Sequence, residues 1–213
     1  MNKLFAILFP IAFISNCWAC NYSLSNELSV VRVNSKGMCG GFLLEPDVVI
    51  TAAHCVGNRL GTITCGDSRD IIKILFWSIN ENTDIAIGLI DEQVDGCYSE
   101  SVITQGKLGD DVQFAAYGMS GPGNYSDIGH LRIGFSSISD VVKDEYYITG
   151  DTTCKGDSGG PVFVINSNEL DVIGFISHAY LKNGCAETTH IKSFYYYREW
   201  IGQQILILRD END

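Results

Sequence analysis

Three short segments carry side chains that could do nucleophilic chemistry together. Residues 154–162 read CKGDSGGPV and set Ser158 among residues with little side chain to pack. A serine hydroxyl is a weak nucleophile at neutral pH. It needs a base for its proton, and the base needs a partner that holds its tautomer. Residues 49–55, VITAAHC, offer His54 behind an apolar run and beside Cys55. Residues 82–90, NTDIAIGLI, offer Asp84 at the head of another apolar run, where a carboxylate must be bonded or paired. Each has a blander reading: His54 as a packing residue at a strand end, Asp84 as a turn residue capping a strand.

Ser158 also satisfies G-x-S-x-G, the nucleophile elbow of α/β-hydrolases, with Asp171, His178 and His190 as nominal downstream partners. That fold needs a helix directly after the serine. Here GGPVFVI follows, β-like and carrying Pro161 where the helix would run.

The elements around these segments are short β-rich runs at 28–33, 40–45, 47–53, 70–77, 84–90, 111–118, 160–165 and 170–177. Turn chemistry such as SKG, NEN, GPGN and NSNE lies between them. The spacing predicts an all-β sandwich or barrel rather than alternating strand and helix. The end differs: 198–210 places Trp200, Ile201, Ile205 and Leu208 on one helical face, predicting a C-terminal helix.

At 213 residues the chain has room for one sizeable domain. A net charge of -12 argues against sequence-independent binding to nucleic acid or anionic membrane. Lys3, the apolar run 4–14 and the small residues Cys17 and Ala19 read as an export signal spanning 1–19, cut after Ala19. The run is too short for a stable membrane span. A rival reading attaches lipid at Cys17 or Cys20. The expected location is secreted or periplasmic, with the mature domain spanning 20–213 and behaving as a monomer. Eight cysteines in an exported chain point to disulfides. No C-x-x-C pair survives past the signal, so structural zinc is disfavoured. No cofactor or metal is implied.

The segments CGGFLLEPDVVITAAHC (39–55), TDIAIGLI (83–90) and CKGDSGGPVFVI (154–165) resemble the three signature segments of the chymotrypsin/trypsin-like serine proteases, in that family's order. The resemblance implies two six-stranded antiparallel β-barrels with a C-terminal α-helix, His54 and Asp84 in the first barrel and Ser158 in the second. It implies a serine endopeptidase in which Ser158 is the nucleophile, His54 the general base and then acid, and Asp84 the orienting carboxylate. Backbone N–H groups of Gly156 and Ser158 would form the oxyanion hole. Ser177 would bond the triad aspartate. Disulfides Cys39–Cys55 and Cys154–Cys185 match the family. Among Cys20, Cys65 and Cys97 the pairing stays open, with Cys65–Cys97 the marginal choice.

By the family's register Thr152 is the base of the main substrate pocket, with Thr153, Ser177, Ala179 and Thr189 around it. An uncharged base predicts apolar or modest uncharged substrate side chains. A one-residue register error would put Asp151 there and restore basic specificity. His178 falls near the cleft as an aromatic filler; His130 and His190 read as surface or packing residues. Trypsin-like zymogens are activated when a new N-terminus pairs with the Asp before the serine. An IVGG-like start is absent from this sequence, so Asp157 is expected to find another partner, such as local backbone N–H groups. Protein or peptide substrates are the expected partners. A protease-like module that binds without cutting is the alternative of a different class.

Overall fold

The computed structural model describes residues 28–212 except 59, 67, 69, 95, 151, 152, 167 and 168. The export signal, Cys17, Cys20, Asp151 and Thr152 lie outside the described residues.

Strands β1 (Val30–Asn34), β2 (Met38–Glu45), β3 (Val48–Ala52), β4 (Thr62–Cys65), β5 (Ile72–Asn80) and β6 (Ile85–Ile90) form a closed barrel in the order β1-β2-β3-β6-β5-β4. Strands β7 (Asp111–Ala116), β8 (Arg132–Val142), β9 (Glu145–Thr149), β10 (Pro161–Asn166), β11 (Glu169–Lys182) and β12 (Cys185–Ser193) close a second one in the order β7-β8-β9-β12-β11-β10. Every ladder in both barrels is antiparallel. Closure leaves no unpaired sheet edge for another chain to extend.

Side-chain alternation divides several of the strands between two cores. Val31, Val33, Leu43, Val49, Ile63 and Ile74 cluster in the first barrel. Val112, Phe114, Ile138, Ile148, Val162 and Ile191 cluster in the second. The alternate residues Val30, Phe42, Ile50, Ile85 and Ile87 join Phe163, Phe175 and Phe194 in a third cluster that spans both barrels. There Phe42 meets Phe163 edge-on, with centroids 6.3 Å apart. Strands β3 and β6 are buried on both faces, which is why they read as unbroken apolar runs.

The C-terminal helix α1 (Phe194–Asp210) starts four residues before the predicted 198, because the Ser193 side chain accepts a hydrogen bond from the Tyr196 N–H and caps it. Phe194, Ile201, Ile205 and Leu208 are buried, while Trp200 is only half-buried. Arg209, in the last turn, pairs with Glu45 and Asp47 at 2.6 and 2.7 Å, fastening the helix to the first barrel. No described helix is long and apolar enough to cross a membrane.

Cys39–Cys55, Cys65–Cys97 and Cys154–Cys185 are disulfides, with Cα atoms 6.2, 5.9 and 3.9 Å apart. The first closes the turn holding His54 onto β2; the third closes the Ser158 loop onto β12.

Candidate active site

Strand pairing delivers His54 to Asp84. The β3–β6 ladder runs to Ala52 opposite Ile85, so the residues just beyond it meet. The chain leaves β3 through a single 3-10 turn, Ala53–Cys55, and the Ala53 N–H donates to the Asp84 carbonyl. Asp84 lies in the left-handed region, with φ at 57°. Aspartate tolerates this better than most side chains. The resulting turn points the carboxylate back at His54. Its Oδ1 accepts from the His54 main-chain N–H at 3.0 Å, and both oxygens lie 3.0–3.1 Å from Nδ1. The buried Ser177 hydroxyl donates to Oδ2 at 2.5 Å.

Burial pushes the Asp84 carboxyl upward, but the bonds from His54 and Ser177 outweigh it and hold its pKa below the ordinary value. The ionised carboxylate only accepts, so Nδ1 of His54 carries the proton and a neutral imidazole presents its lone pair at Nε2. His54 and Ser158 line one cleft of about 200 Å3.

Ser158 is held between the barrels. Its carbonyl accepts from the Gly40 N–H at 2.7 Å, on β2, and the next N–H, of Gly159, donates to Ile176 on β11 at 2.6 Å. The glycines around it answer to close backbone approach. Gly156 has φ at 97° and Gly159 at 84°. A Cβ on Gly159 would lie 2.1 Å from the Gly40 carbonyl oxygen and 2.2 Å from Thr51 Oγ1. Gly159→Ala should therefore lower stability by about 3 kcal/mol and remove activity with it, read as a drop in Tm and in turnover. An unchanged Tm would mean that the two barrels do not meet so tightly here. Among the described residues the N–H groups of Gly156 and Ser158 have no protein partner.

Asp157 is fully buried beneath this loop. Its Oδ1 accepts from the Gly118 N–H at 2.8 Å and its Oδ2 from the Cys154 N–H at 2.6 Å. Arg132, the first residue of β8, forms an ion pair with Oδ2. The expectation of local N–H partners thus holds but omits the guanidinium. Burial raises the Asp157 carboxyl to about 6, against Arg132 and the two N–H donors, which lower it.

Thr153, Ser177 and Ala179 line the cleft, together with Cys154, Lys155, Gly156, Ile176, His178 and Leu181. Thr189 is not on that lining: it is fully buried, and its hydroxyl bonds the Thr153 hydroxyl from behind. The placement by register was therefore one layer too shallow. His178 does line the cleft, and its ring stacks on His190 at 4.3 Å. His190 is more than a packing residue, since its Nδ1 lies 3.2 Å from Glu145. Strand β10 rather than a helix follows the Ser158 loop, and Asp171 bonds Asn166 far along that strand. The nucleophile-elbow reading fails on both counts.

Two closed antiparallel barrels, with His54 and Ser158 on one cleft and a helix behind, define the chymotrypsin-like fold. A family profile described as Trypsin matches residues 23–201, and the chain belongs to the trypsin family. It is 27% identical over 192 residues to a trypsin of Saccharopolyspora erythraea, covering 75% of this chain and 82% of that protein. It is 24% identical to trypsin eta of Drosophila melanogaster, over 78% of this chain and 76% of the relative. A glutamyl endopeptidase of Bacillus licheniformis is 27% identical over 73% of this chain and 55% of its own length. Among solved structures, a kallikrein-related peptidase 10 complex with Zn2+ superposes with a TM-score of 0.66 at 18% identity, over 85% of this chain and 97% of the other. That likeness concerns the fold.

Proposed function

We propose that the chain is an exported serine endopeptidase that works through an acyl-enzyme, with His54, Asp84 and Ser158 as its triad. The observation that carries this is the double grip of Asp84 on His54, through main chain and ring, beside a cleft that Ser158 also lines. Ser158 Oγ attacks the peptide carbonyl as His54 Nε2 takes its proton. The N–H groups of Gly156 and Ser158 receive the developing oxyanion. The imidazolium then protonates the leaving amine, the C–N bond breaks, and water attacking through the same base releases the acid.

Among the described residues lining the cleft there is no carboxylate. Ile176, Ala179 and Leu181 favour apolar or modest uncharged side chains over lysine or arginine. Three disulfides suit an oxidising compartment, in keeping with removal of residues 1–19 on export and a mature monomer. Arg132 occupies the charge-partner role at Asp157, so the mature chain needs no activating cut to supply an N-terminus there. Activity found only after cleavage downstream of Asn21 would contradict this.

The decisive experiment is labelling by an alkyl fluorophosphonate followed by digestion of a peptide library. Expected are one adduct, at Ser158, and cleavage after uncharged residues, both lost in Ser158→Ala. A folded protein left unlabelled would return the chain to the binding-module class.

A further inference from the structure

Ser177 Oγ lies between two partners, 2.5 Å from Asp84 Oδ2 and 3.0 Å from Nδ1 of His178. A hydroxyl has one hydrogen, and a carboxylate can only accept. The Ser177 hydrogen therefore goes to Asp84, and the contact with His178 can be a hydrogen bond only if Nδ1 carries the hydrogen and donates. Building on the triad reading above, we infer that His178 is a positioning residue, locked as the Nδ1–H tautomer and completing a chain His178→Ser177→Asp84←His54. The same count on His54 gives Nδ1–H there, so one carboxylate orders two imidazoles, one directly and one through a hydroxyl.

The surroundings hold the ring for this task. One face of His178 stacks on His190, with centroids 4.3 Å apart and planes 32° apart. His190 is itself fixed by Glu145 at 3.2 Å, and it packs against the rings of Tyr147 and Tyr180. Glu145 is in turn paired with Lys192 at 2.6 Å. The titratable groups around His178 are thus Asp84 from the turn before β6, His190 and Lys192 from β12, Glu145 and Tyr147 from β9, and Tyr180 on its own strand. His178 is exposed at one side, yet partial desolvation on its packed side lowers its pKa, and the neighbouring His190 adds to this, while Glu145 and Asp84 oppose. The neutral ring is the form that needs a tautomer at neutral pH. A donor at Ser177 strengthens that hydroxyl's own donation and draws charge on Asp84 away from His54. His178 thereby weakens the hold of Asp84 on His54 and moves the acidic limb of the pH profile downward.

Two measurements test the chain. Long-range proton–nitrogen correlation of the side chains, above the pH at which the ring is neutral, should show His178 protonated at Nδ1, the signal being assigned by its loss in His178→Asn. Neutron diffraction of the unaltered protein reads the same deuteron without a variant, should a variant not fold. The second measurement is the pH dependence of Ser158 phosphorylation by a small dialkyl fluorophosphate, which does not fill the substrate cleft. His178→Phe keeps a ring for His190 but cannot donate, and its acidic limb should move up by about 0.5 pH unit. His178→Asn places an amide N–H where Nδ1 was and should restore the limb. The Nε2–H tautomer, or equal limbs in the Phe variant and the parent, overturns the relay alone. Failure of the parent protein to be labelled at all strikes at the hydrolase reading, and the relay falls with it.

Discussion

Asp84→Asn should leave the fold standing and reduce kcat/KM by about 10,000-fold, the scale reached when a triad imidazole is left in the wrong tautomer. The amide must still offer its oxygen to the His54 main-chain N–H, now bonded to Oδ1 at 3.0 Å. That choice turns the NH2 toward the other oxygen's place, beside His54 Nδ1 and Ser177. Nδ1, 3.0 Å from one oxygen and 3.1 Å from the other in the parent, then faces an amide N–H beside the retained oxygen, which favours moving its proton to Nε2 and removing the lone pair that should accept the Ser158 proton. Steady-state kinetics on a cleaved peptide, beside circular dichroism and Tm, separate this from unfolding. A loss below tenfold in a folded variant would remove Asp84 from the triad.

The second large effect is expected at Arg132→Met. Asp157 is fully buried, and Arg132 is the cation paired with it among the described residues. Removing one partner of a buried pair costs about 3–5 kcal/mol, because the other is left uncompensated. The carboxyl would respond by taking up a proton, its pKa climbing above the value of about 6 it has beside Arg132. A neutral Asp157 holds the Gly118 and Cys154 N–H groups more weakly, and the Gly156–Ser158 turn loosens. If that turn holds the proposed oxyanion donors, kcat should fall about 100-fold or more while KM changes less. Arg132→Lys restores charge without the planar fork and should recover part of both losses. Full activity in Arg132→Met would show that another group carries the Asp157 charge.

The unaltered protein should feel the same switch through pH. The folded-state pKa of Asp157, about 6, lies above the unfolded value of about 3.9. By linkage, this group's contribution to stability is present at low pH and lost as pH rises through about 6. Activity runs the opposite way, since only the ionised carboxylate grips Arg132. Protonation of Asp157 therefore adds to the loss of activity below about pH 6, and Arg132→Met should extend that loss upward. A stability–pH curve beside the kcat–pH curve would show the two trends diverging.

Strands with two buried faces were legible because both faces write apolar residues into the sequence: VVITA and IAIGLI could hardly be missed. Strands β4, β8, β9 and β12 carry no such signal. Strand β8, RIGFSSISDVV, is largely solvent-facing, and β12, CAETTHIKS, buries threonine and serine through hydrogen bonds beside only a few apolar residues such as Ile191. The helix was legible from Ile201, Ile205 and Leu208, but its start depends on the Ser193 cap, a single side-chain bond that periodicity does not encode.

Within the candidate site, motif and order alone point to His54, Asp84 and Ser158, since a nucleophile, a base and an orienting acid require those residue types in restrictive local settings. The glycines of the Ser158 loop were equally plain in the motif, and the structure gives the reason at Gly159, where a Cβ would run into Gly40 and Thr51. Arg132 and His178 were not. Barrel closure sets the meeting of Arg132 with Asp157, and His178, though next to Ser177 in the chain, gains its role only because tertiary packing brings Ser177 to Asp84. Nothing local distinguishes an arginine that ends beneath the Ser158 loop from one that faces water. Residue chemistry thus determined what could react, and the packing of two barrels decided which charges and protons would hold it ready.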